Sequence, residues 1–310
     1  MICWVAGGAG FIGTHLCEAL AARGDTVVCL DNLSSGEFTS RPNQTNHFWD
    51  VCDSLEESTI VDPPDVIFHL ASLASPADYL RDPVGAIRAN TEGTKQLLDL
   101  AKKYEAHLVY TSTSEIYGDP KETPQREGLS GELDPESPRA PYYASKGVGE
   151  ALCYAYKQRG QEVSVLRLFN TYGPGMRLND GRCVPTFIAA ALRNDPIPMH
   201  GNGSQTRSLC YVDDTVEAIV KVGDLEKSLQ GPVNIGNDFE VSIFLLAKLI
   251  TTLTKSDSEV VSTERLADDP NRRCPEISKA QALLDWVPKI TLKDGLLRTI
   301  ESYYGKTNFI

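Results

Sequence analysis

Ile2-Cys3-Trp4-Val5-Ala6-Gly7-Gly8-Ala9-Gly10-Phe11-Ile12-Gly13 opens the chain, and its reading decides the fold. An apolar run of strand length passes directly into glycines spaced G-x-x-G-x-x-G, and a periodic segment, 14–23, follows as a helix closed by Gly24. A second apolar run, 26–30, ends on Asp31. Glycine lets a backbone turn tightly and approach a pyrophosphate with no Cβ between them, and a helix N-terminus offers unpaired N–H groups and the positive end of its dipole. A carboxylate at the end of the second strand accepts hydrogen bonds from the ribose hydroxyls of adenosine, which favours NAD over NADP. A lone glycine triplet is more safely read as a tight turn. Here strand, turn, helix, strand and acid fall in order, and the cofactor reading prevails. The candidate cofactor contacts are Gly7, Gly10, Phe11, Ile12, Gly13, Asp31, Asn32, Ser35, Gly36, Asp50, Val51, Leu70 and Ala71, with Tyr142 and Lys146 further along the chain.

Alternation continues outward from this unit: 66–70 reads as strand, 83–104 as a long amphipathic helix, 107–111 as strand, 142–159 as helix and 164–169 as strand. Such βαβ succession predicts an α/β chain, a doubly wound parallel sheet covered by helices on both faces. After Asn170 the pattern changes to a Gly, Pro and Asn-rich stretch, with helices over 184–193, 215–225 and 242–254. Residues 1–170 are therefore expected to form the cofactor domain and 171–310 mainly a smaller substrate domain, some segments of which return to the main sheet. The one loop long enough for a lid is 121–140.

Bulk properties narrow the function classes. At 310 residues, 41% of them hydrophobic, the chain can bury one large or two coupled cores. Its formal net charge of −12 repels nucleic acid and acidic membrane surfaces, so neither partner is expected, and local arginines must hold any anionic substrate. The eight cysteines include no C-x-x-C pair and no histidine at ligand spacing, so no metal site is expected. No apolar run approaches the roughly 20 residues of a membrane span and no signal-peptide pattern opens the sequence, which points to the cytoplasm.

Tyr142-Tyr143-Ala144-Ser145-Lys146 places a phenol and an amine four residues apart on one face of a predicted helix. An ammonium beside a phenol lowers its pKa from about 10 toward neutrality, so that Tyr142 can take a proton from an alcohol undergoing oxidation. Tyr143 has Gly147 at the same spacing and lacks that partner. Upstream, Thr111-Ser112-Thr113-Ser114-Glu115 follows a strand and presents hydroxyls and one carboxylate at the sheet edge, where Thr113 can orient the same alcohol. Tyr-x-x-x-Lys alone is common on solvated helix faces and usually inert; beside the glycine turn and the hydroxyl run, the catalytic reading wins.

Together the 7–13 turn, Thr113, Tyr142 and Lys146 resemble the extended short-chain dehydrogenase/reductase family, whose members modify nucleotide sugars, and the resemblance covers essentially the whole chain. More narrowly, several strings are similar to its UDP-glucuronate decarboxylase (UDP-xylose synthase) branch. These are Ala74-Ser75-Pro76, Ser112-Thr113-Ser114-Glu115-Ile116-Tyr117-Gly118-Asp119-Pro120, Phe169-Asn170-Thr171-Tyr172-Gly173-Pro174, Asn179-Asp180-Gly181-Arg182, Gly203-Ser204-Gln205-Thr206-Arg207, and Asp268-Asp269-Pro270 followed by Arg272-Arg273.

The resemblance implies a Rossmann-type doubly wound sheet with a smaller C-terminal substrate-binding domain, NAD as cofactor, and UDP-glucuronate as the favoured nucleotide-sugar substrate of a lyase. In that branch, oxidation of sugar C4 creates a β-keto acid that loses carbon dioxide, and C4 is then reduced again with the cofactor regenerated in place. It implies Tyr142 as the C4 base, Lys146 as its electrostatic partner and ribose ligand, Thr113 as the orienting hydroxyl, and Ser114 and Glu115 facing C5 and C6. Arg182, Arg207 and Arg273 become the diphosphate and nucleotide candidates, with Arg272 beside them, Asn170 offering an amide, and Arg88 where the branch carries a lysine that helps bind glucuronate. A homodimer through a four-helix bundle of helices 83–104 and 142–159 is likewise implied.

Two departures stand out. The branch reads Y-D-E-G-K where this chain has Tyr142-Tyr143-Ala144-Ser145-Lys146, a form common in sugar dehydratases and epimerases, and Gly128-Leu129-Ser130-Gly131-Glu132 stands in place of an aromatic, glycine-containing loop. Glu115 also suits proton removal from C5. A nucleotide-sugar 4-epimerase and a 4,6-dehydratase therefore stay open beside decarboxylation. A non-catalytic NAD-binding sensor has no need of the tyrosine–lysine pair.

Overall fold

Strands β1 (Ile2–Ala6) and β2 (Thr26–Asp31), joined by helix α1 (Phe11–Arg23), form a parallel pair in register from Ile2 opposite Thr26 to Ala6 opposite Leu30. They belong to a computed structural model that describes residues 1–55, 62–129, 131, 133–264 and 269–304; of the motif residues, Ser130, Glu132 and Asp268 lie outside the described ones. The chain continues through β3 (Gln44–Phe48), β4 (Val66–His69), α2 (Pro76–Arg81), α3 (Pro83–Arg88), α4 (Thr94–Tyr104), β5 (His107–Thr113), α5 (Ala140–Lys157) and β6 (Val163–Leu168). Beyond Asn170 come β7 (Thr171–Tyr172), α6 (Cys183–Leu192), β8 (Ile197–His200), β9 (Thr206–Ser208), β10 (Cys210–Tyr211), α7 (Val212–Gly223) and β11 (Val233–Ile235). The last elements are β12 (Glu240–Ser242), α8 (Ile243–Thr254), β13 (Val260–Thr263), β14 (Arg272–Arg273), α9 (Ser278–Leu284) and α10 (Leu292–Tyr304).

Seven strands form one parallel sheet in the order β3-β2-β1-β4-β5-β6-β11. Period-2 alternation decides what each strand buries. Cys3 and Val5 of β1 enter a core with Leu16 and Leu20 of α1 and Ile219 and Val222 of α7, whereas Trp4 and Ala6 enter a second core with Leu97 and Ala101 of α4 and Cys153 of α5. Helices thus cover both faces, the doubly wound α/β architecture. The order in which successive strands are added to the sheet reverses between β1 and β4, and in such sheets ligands bind at that switch point, outside the carboxyl ends of the strands.

The segment after Asn170 divides. Its β11 pairs with β6 in the main sheet, while the remaining strands make small sheets: β7 with β10, β12-β9-β14, and β8 with β13. The segment 83–104, expected as one helix, is α3 and α4 joined by a wider π-helical stretch, Ala89–Gly93. That stretch turns Asn90 into the interior, where its amide donates to the Ser145 hydroxyl at 3.0 Å, and sets Gly93 so close to Val51 that a Cβ there would lie 2.6 Å from a Val51 methyl. Strand β5 runs to Thr113, two residues past its expected end, because β6 continues to pair with it there. Polar, largely exposed β3 and short α2 left no apolar period to read.

Candidate active site

At the switch point the first glycine, Gly7, has φ +83° and donates its N–H to the Leu30 carbonyl at 2.8 Å. It backs onto 70–71 so tightly that a Cβ would lie 2.5 Å from the Ala71 nitrogen, and a Cβ on Gly13 would lie 2.0 Å from the Gly7 carbonyl oxygen. Gly36 brings the segment with Ser35 onto the same turn, since its Cβ would lie 1.9 Å from the Ala9 carbonyl oxygen. Helix α1 starts at Gly10 with no side-chain cap, and Phe11, Ile12 and Gly13 form its first turn. Only a chain without Cβ atoms at positions 7, 13 and 36 can fold this cradle, which fits the pyrophosphate of a dinucleotide.

Asp31 closes the adenosine side. Its two oxygens accept the N–H groups of Ala9 at 3.0 Å and Leu33 at 2.7 Å. Burial raises its pKa against those hydrogen bonds, and a carboxylate has further lone pairs for ribose hydroxyls. Asn32 donates to Asp50 at 2.8 Å, and Val51 sits behind them against Gly93. The glycine turn thus adjoins Gly36, Asp31 and residues 70–71, and Asn32 beside it joins Asp50.

Tyr142, Thr113 and Lys146 come from two elements, α5 and the end of β5, and all three are buried. The Thr113 hydroxyl hydrogen-bonds the Tyr142 phenol and accepts the N–H of Glu115 at 3.2 Å. Burial, and then the charge of Glu115, push the phenol up to about 12, opposed by Thr113, Arg182 and Arg139. This differs from the lowering expected from a neighbouring ammonium. The reason is where the lysine goes: Lys146 Nζ donates to the Thr111 carbonyl at 2.7 Å and lies 4.9 Å from the Tyr110 ring centroid. Burial pushes that amine down to about 7, so near neutral pH it holds less than a full charge. A ring also packs on the phenol: Tyr79 stacks on Tyr142 with centroids 5.3 Å apart and planes 9° from parallel.

Beside the phenol lies a group of alternating charge. Glu115 pairs with Arg139 at 2.6 Å, Arg139 approaches Asp269 at 3.9 Å, and Asp269 pairs with Arg207 at 2.5 Å. Arg273, almost fully buried, donates to the Ser114 carbonyl at 2.8 Å, and burial pushes its pKa down to about 10. Three arginines against two carboxylates leave net positive charge for an anionic ligand. The second oxygen of Glu115 is buried without a hydrogen-bond partner among the described residues.

Other candidates are placed elsewhere. Arg182 pairs with Asp180 and stands over Phe11, 5.9 Å from its ring centroid, between the cofactor turn and the phenol. Asn170 follows β6, where its carbonyl accepts from Cys210. Two expected substrate contacts are not brought in: Arg88 is exposed, pairs with Glu92, and has the Asp50 carboxylate and the Cys52 thiol as further neighbours, and exposed Arg272 pairs with Glu240. In each case a carboxylate close by on the surface holds the guanidinium. Sequence reading missed Arg139, Tyr79 and the buried set Asn90, Thr94 and His69, in which His69 Nε2 meets the Thr94 hydroxyl at 2.9 Å. Only Arg139 left a signal, lying three residues before Tyr142.

The chain is similar to known proteins over nearly its whole length. Residues 3–236 match the NAD dependent epimerase/dehydratase family. UDP-glucuronic acid decarboxylase 1 of Xenopus tropicalis is 43% identical over 309 residues, covering 97% of this chain and 72% of that protein. Among solved structures, UDP-glucose 4-epimerase from Thermotoga maritima, crystallised with UDP-glucose, superposes with a TM-score of 0.90 at 29% identity over 99% of each chain. UDP-glucuronic acid 4-epimerase from Bacillus cereus, in complex with UDP-glucuronic acid and NAD, gives 0.87 at 26% identity over 99% of this chain and 100% of that one. The family match runs from β1 through the glycine turn and the Tyr142–Lys146 helix to β11, and this chain belongs to the NAD dependent epimerase/dehydratase family.

Proposed function

We propose that this chain is a lyase that converts UDP-glucuronate to UDP-xylose and carbon dioxide, with NAD regenerated in each turnover. The observation that carries the reading is the charge group beside the phenol, where Arg139 neutralises Glu115 so that a second carboxylate, that of the sugar, is tolerated next to it. The near full-length likeness to a UDP-glucuronic acid decarboxylase supports it. Residues 1–170 then hold mainly the cofactor and 171–310 mainly the nucleotide sugar, β11 excepted.

Bound NAD supplies the two-electron acceptor and donor for sugar C4, and the residues fitted to hold it are those of the glycine cradle, Asp31, and the Asn32–Asp50 pair. Thr113 and Tyr142 hold the C4 oxygen. Tyr142 takes the hydroxyl proton on oxidation and, as the phenol, donates to O4 while electrons from the breaking C5–C6 bond flow into the ketone. Once carbon dioxide has left, C5 takes a proton from water and the C4 ketone is restored, and Tyr142 then gives its proton to O4 when C4 is reduced. The phenol at about 12, with the opposing charges of Arg182 and Arg139 already counted, is protonated in the chain alone, and the further positive charge that bound NAD⁺ would bring would draw it down. Lys146, near 7, is able to exchange a proton at neutral pH one helical turn away. Arg207 and Arg273 offer the guanidinium forks for the diphosphate.

Incubation with UDP-glucuronate and mass analysis tests the reading: the expected product is a UDP-pentose, lighter by one carbon dioxide. The Tyr-Tyr-Ala-Ser-Lys string and the epimerase neighbours fit a second reading, 4-epimerisation, only weakly; unchanged mass with inverted C4 is its result and sinks the first. A dehydratase instead removes water from UDP- or dTDP-glucose.

We also propose a homodimer through a four-helix bundle of the 83–104 and 142–159 segments, supported by exposed Val84 and Ile87 on α3 and Val148 on α5. Aspartate at both Val84 and Val148 is expected to halve the sedimenting mass while the circular dichroism spectrum is kept; an unchanged mass contradicts this interface. The eight free thiols, and the absence of any helix long and apolar enough to cross a membrane among the described residues, support placing the chain in the reducing cytoplasm.

A further inference from the structure

The string Ala74-Ser75-Pro76 has a physical role that the proposed chemistry leaves unused. Ser75 caps α2, accepting the Asp78 N–H at 3.2 Å and donating its hydroxyl to the Asp78 carboxylate at 2.7 Å. Asp78 is buried and pairs with Arg177, which also donates to the Ser75 hydroxyl at 3.2 Å, and the Ala77 N–H donates to the Asp180 carbonyl at 3.3 Å. A helix of only six residues is thereby fixed at its start by an ion pair and a main-chain bond to the 177–180 segment. The next residue, Tyr79, 1% exposed, carries the ring that lies flat on Tyr142 in a small apolar cluster with Leu73 and Ala86.

We infer that Tyr79 is a positioning residue for Tyr142: held by α2, its ring fixes the plane of the phenol so that the hydroxyl meets Thr113, and it keeps water from one face. The inference rests on Tyr142 being the proton-transfer group at C4. A base that must take and return one proton gains from an orientation fixed before the substrate arrives, because a displacement of about 1 Å at such a group costs roughly 10²-fold in rate. Among the described residues the charged and titratable groups around the phenol, besides Tyr79 itself, whose hydroxyl all three variants below lack alike, are Glu115, Arg139, Arg182, Tyr110 and, one turn along α5, Lys146. None of these is changed by substituting Tyr79. Burial raises the phenol pKa, so removing the covering ring admits water and moves it down toward its ordinary value.

The test compares Tyr79→Phe, Tyr79→Leu and Tyr79→Ala in the full chain. The phenylalanine variant keeps the stack and is expected to stay within about 3-fold of the parent in kcat, while the leucine and alanine variants fall at least about 10-fold in kcat with KM little changed. The acid limb of their kcat profile is expected at lower pH than that of the phenylalanine variant. Leucine fills the volume without a flat ring and serves if the alanine variant does not fold. Phenolate absorbance, taken as the difference between each variant and the same variant carrying Tyr142→Phe, reads the Tyr142 titration without turnover. Earlier ionisation in the leucine or alanine variant than in the phenylalanine variant supports the positioning role. Coincident titrations, or a phenylalanine variant as impaired as the alanine one, overturn it. If the chain is inactive toward UDP-glucuronate, the proposed function fails while the titration still decides the role of Tyr79.

Discussion

Tyr142→Phe is expected to lower turnover of UDP-glucuronate by about 10³-fold while NAD binds as before, the loss typical of removing a general acid–base. The substitution deletes one oxygen and keeps the ring, so the stack on Tyr79 and the apolar cluster with Leu73 and Ala86 survive, and the fold has no reason to change. What disappears is the group that meets Thr113 and shuttles the C4 proton. Steady-state kcat beside a calorimetric NAD titration separates the two effects. Turnover within 10-fold of the parent contradicts the assignment of the base, and lost NAD binding with lost turnover makes the role structural.

Gly13→Ala is expected to abolish NAD binding over any practical concentration range and to cost roughly 1–3 kcal/mol of stability, as overpacking does. The added Cβ would meet the Gly7 carbonyl oxygen at 2.0 Å and the Gly8 Cα at 2.8 Å, both main-chain atoms that no side-chain rotation moves aside. Relief requires opening the turn, and the turn is the cradle. A contrasting position is Gly128, where a Cβ meets nothing within 4 Å among the described residues, so Gly128→Ala is expected to leave binding and melting temperature nearly unchanged. Calorimetry and thermal melts on the pair of variants check this. Wild-type affinity in Gly13→Ala contradicts the placement of the pyrophosphate.

The contrast between those glycines shows where the sequence is legible. The β1 turn is readable because its requirements are local: strand, glycines, helix and acid lie within 31 residues, and each glycine answers to an atom of the same unit or its neighbour strand. The Thr113, Tyr142 and Lys146 set was readable in membership but not in electrostatics. Spacing places Lys146 one turn from Tyr142, whereas the direction of its amine, toward the Thr111 carbonyl, depends on how α5 packs on β5. Arginines were the least legible. Arg207 and Arg273 meet their partners across 62 and 159 residues of sequence, and nothing near them in the chain distinguishes them from Arg88 or Arg272, which surface carboxylates hold. Asn90 was hidden for another reason: it becomes an interior group only because the helix widens to a π turn there, and an amphipathic period counted at 3.6 residues per turn does not register that extra residue.

The central claim is that C4 is oxidised and reduced again within one turnover while carbon dioxide leaves from C6. UDP-glucuronate carrying deuterium at C4 and ¹³C at C6, incubated with the purified chain and a small amount of NAD, tests it in one sample. The account predicts UDP-xylose with the deuterium still on C4, one equivalent of ¹³C-labelled carbon dioxide, and no accumulation of reduced cofactor. Deuterium lost from C4, or labelled product of unchanged mass with C4 inverted, would contradict it.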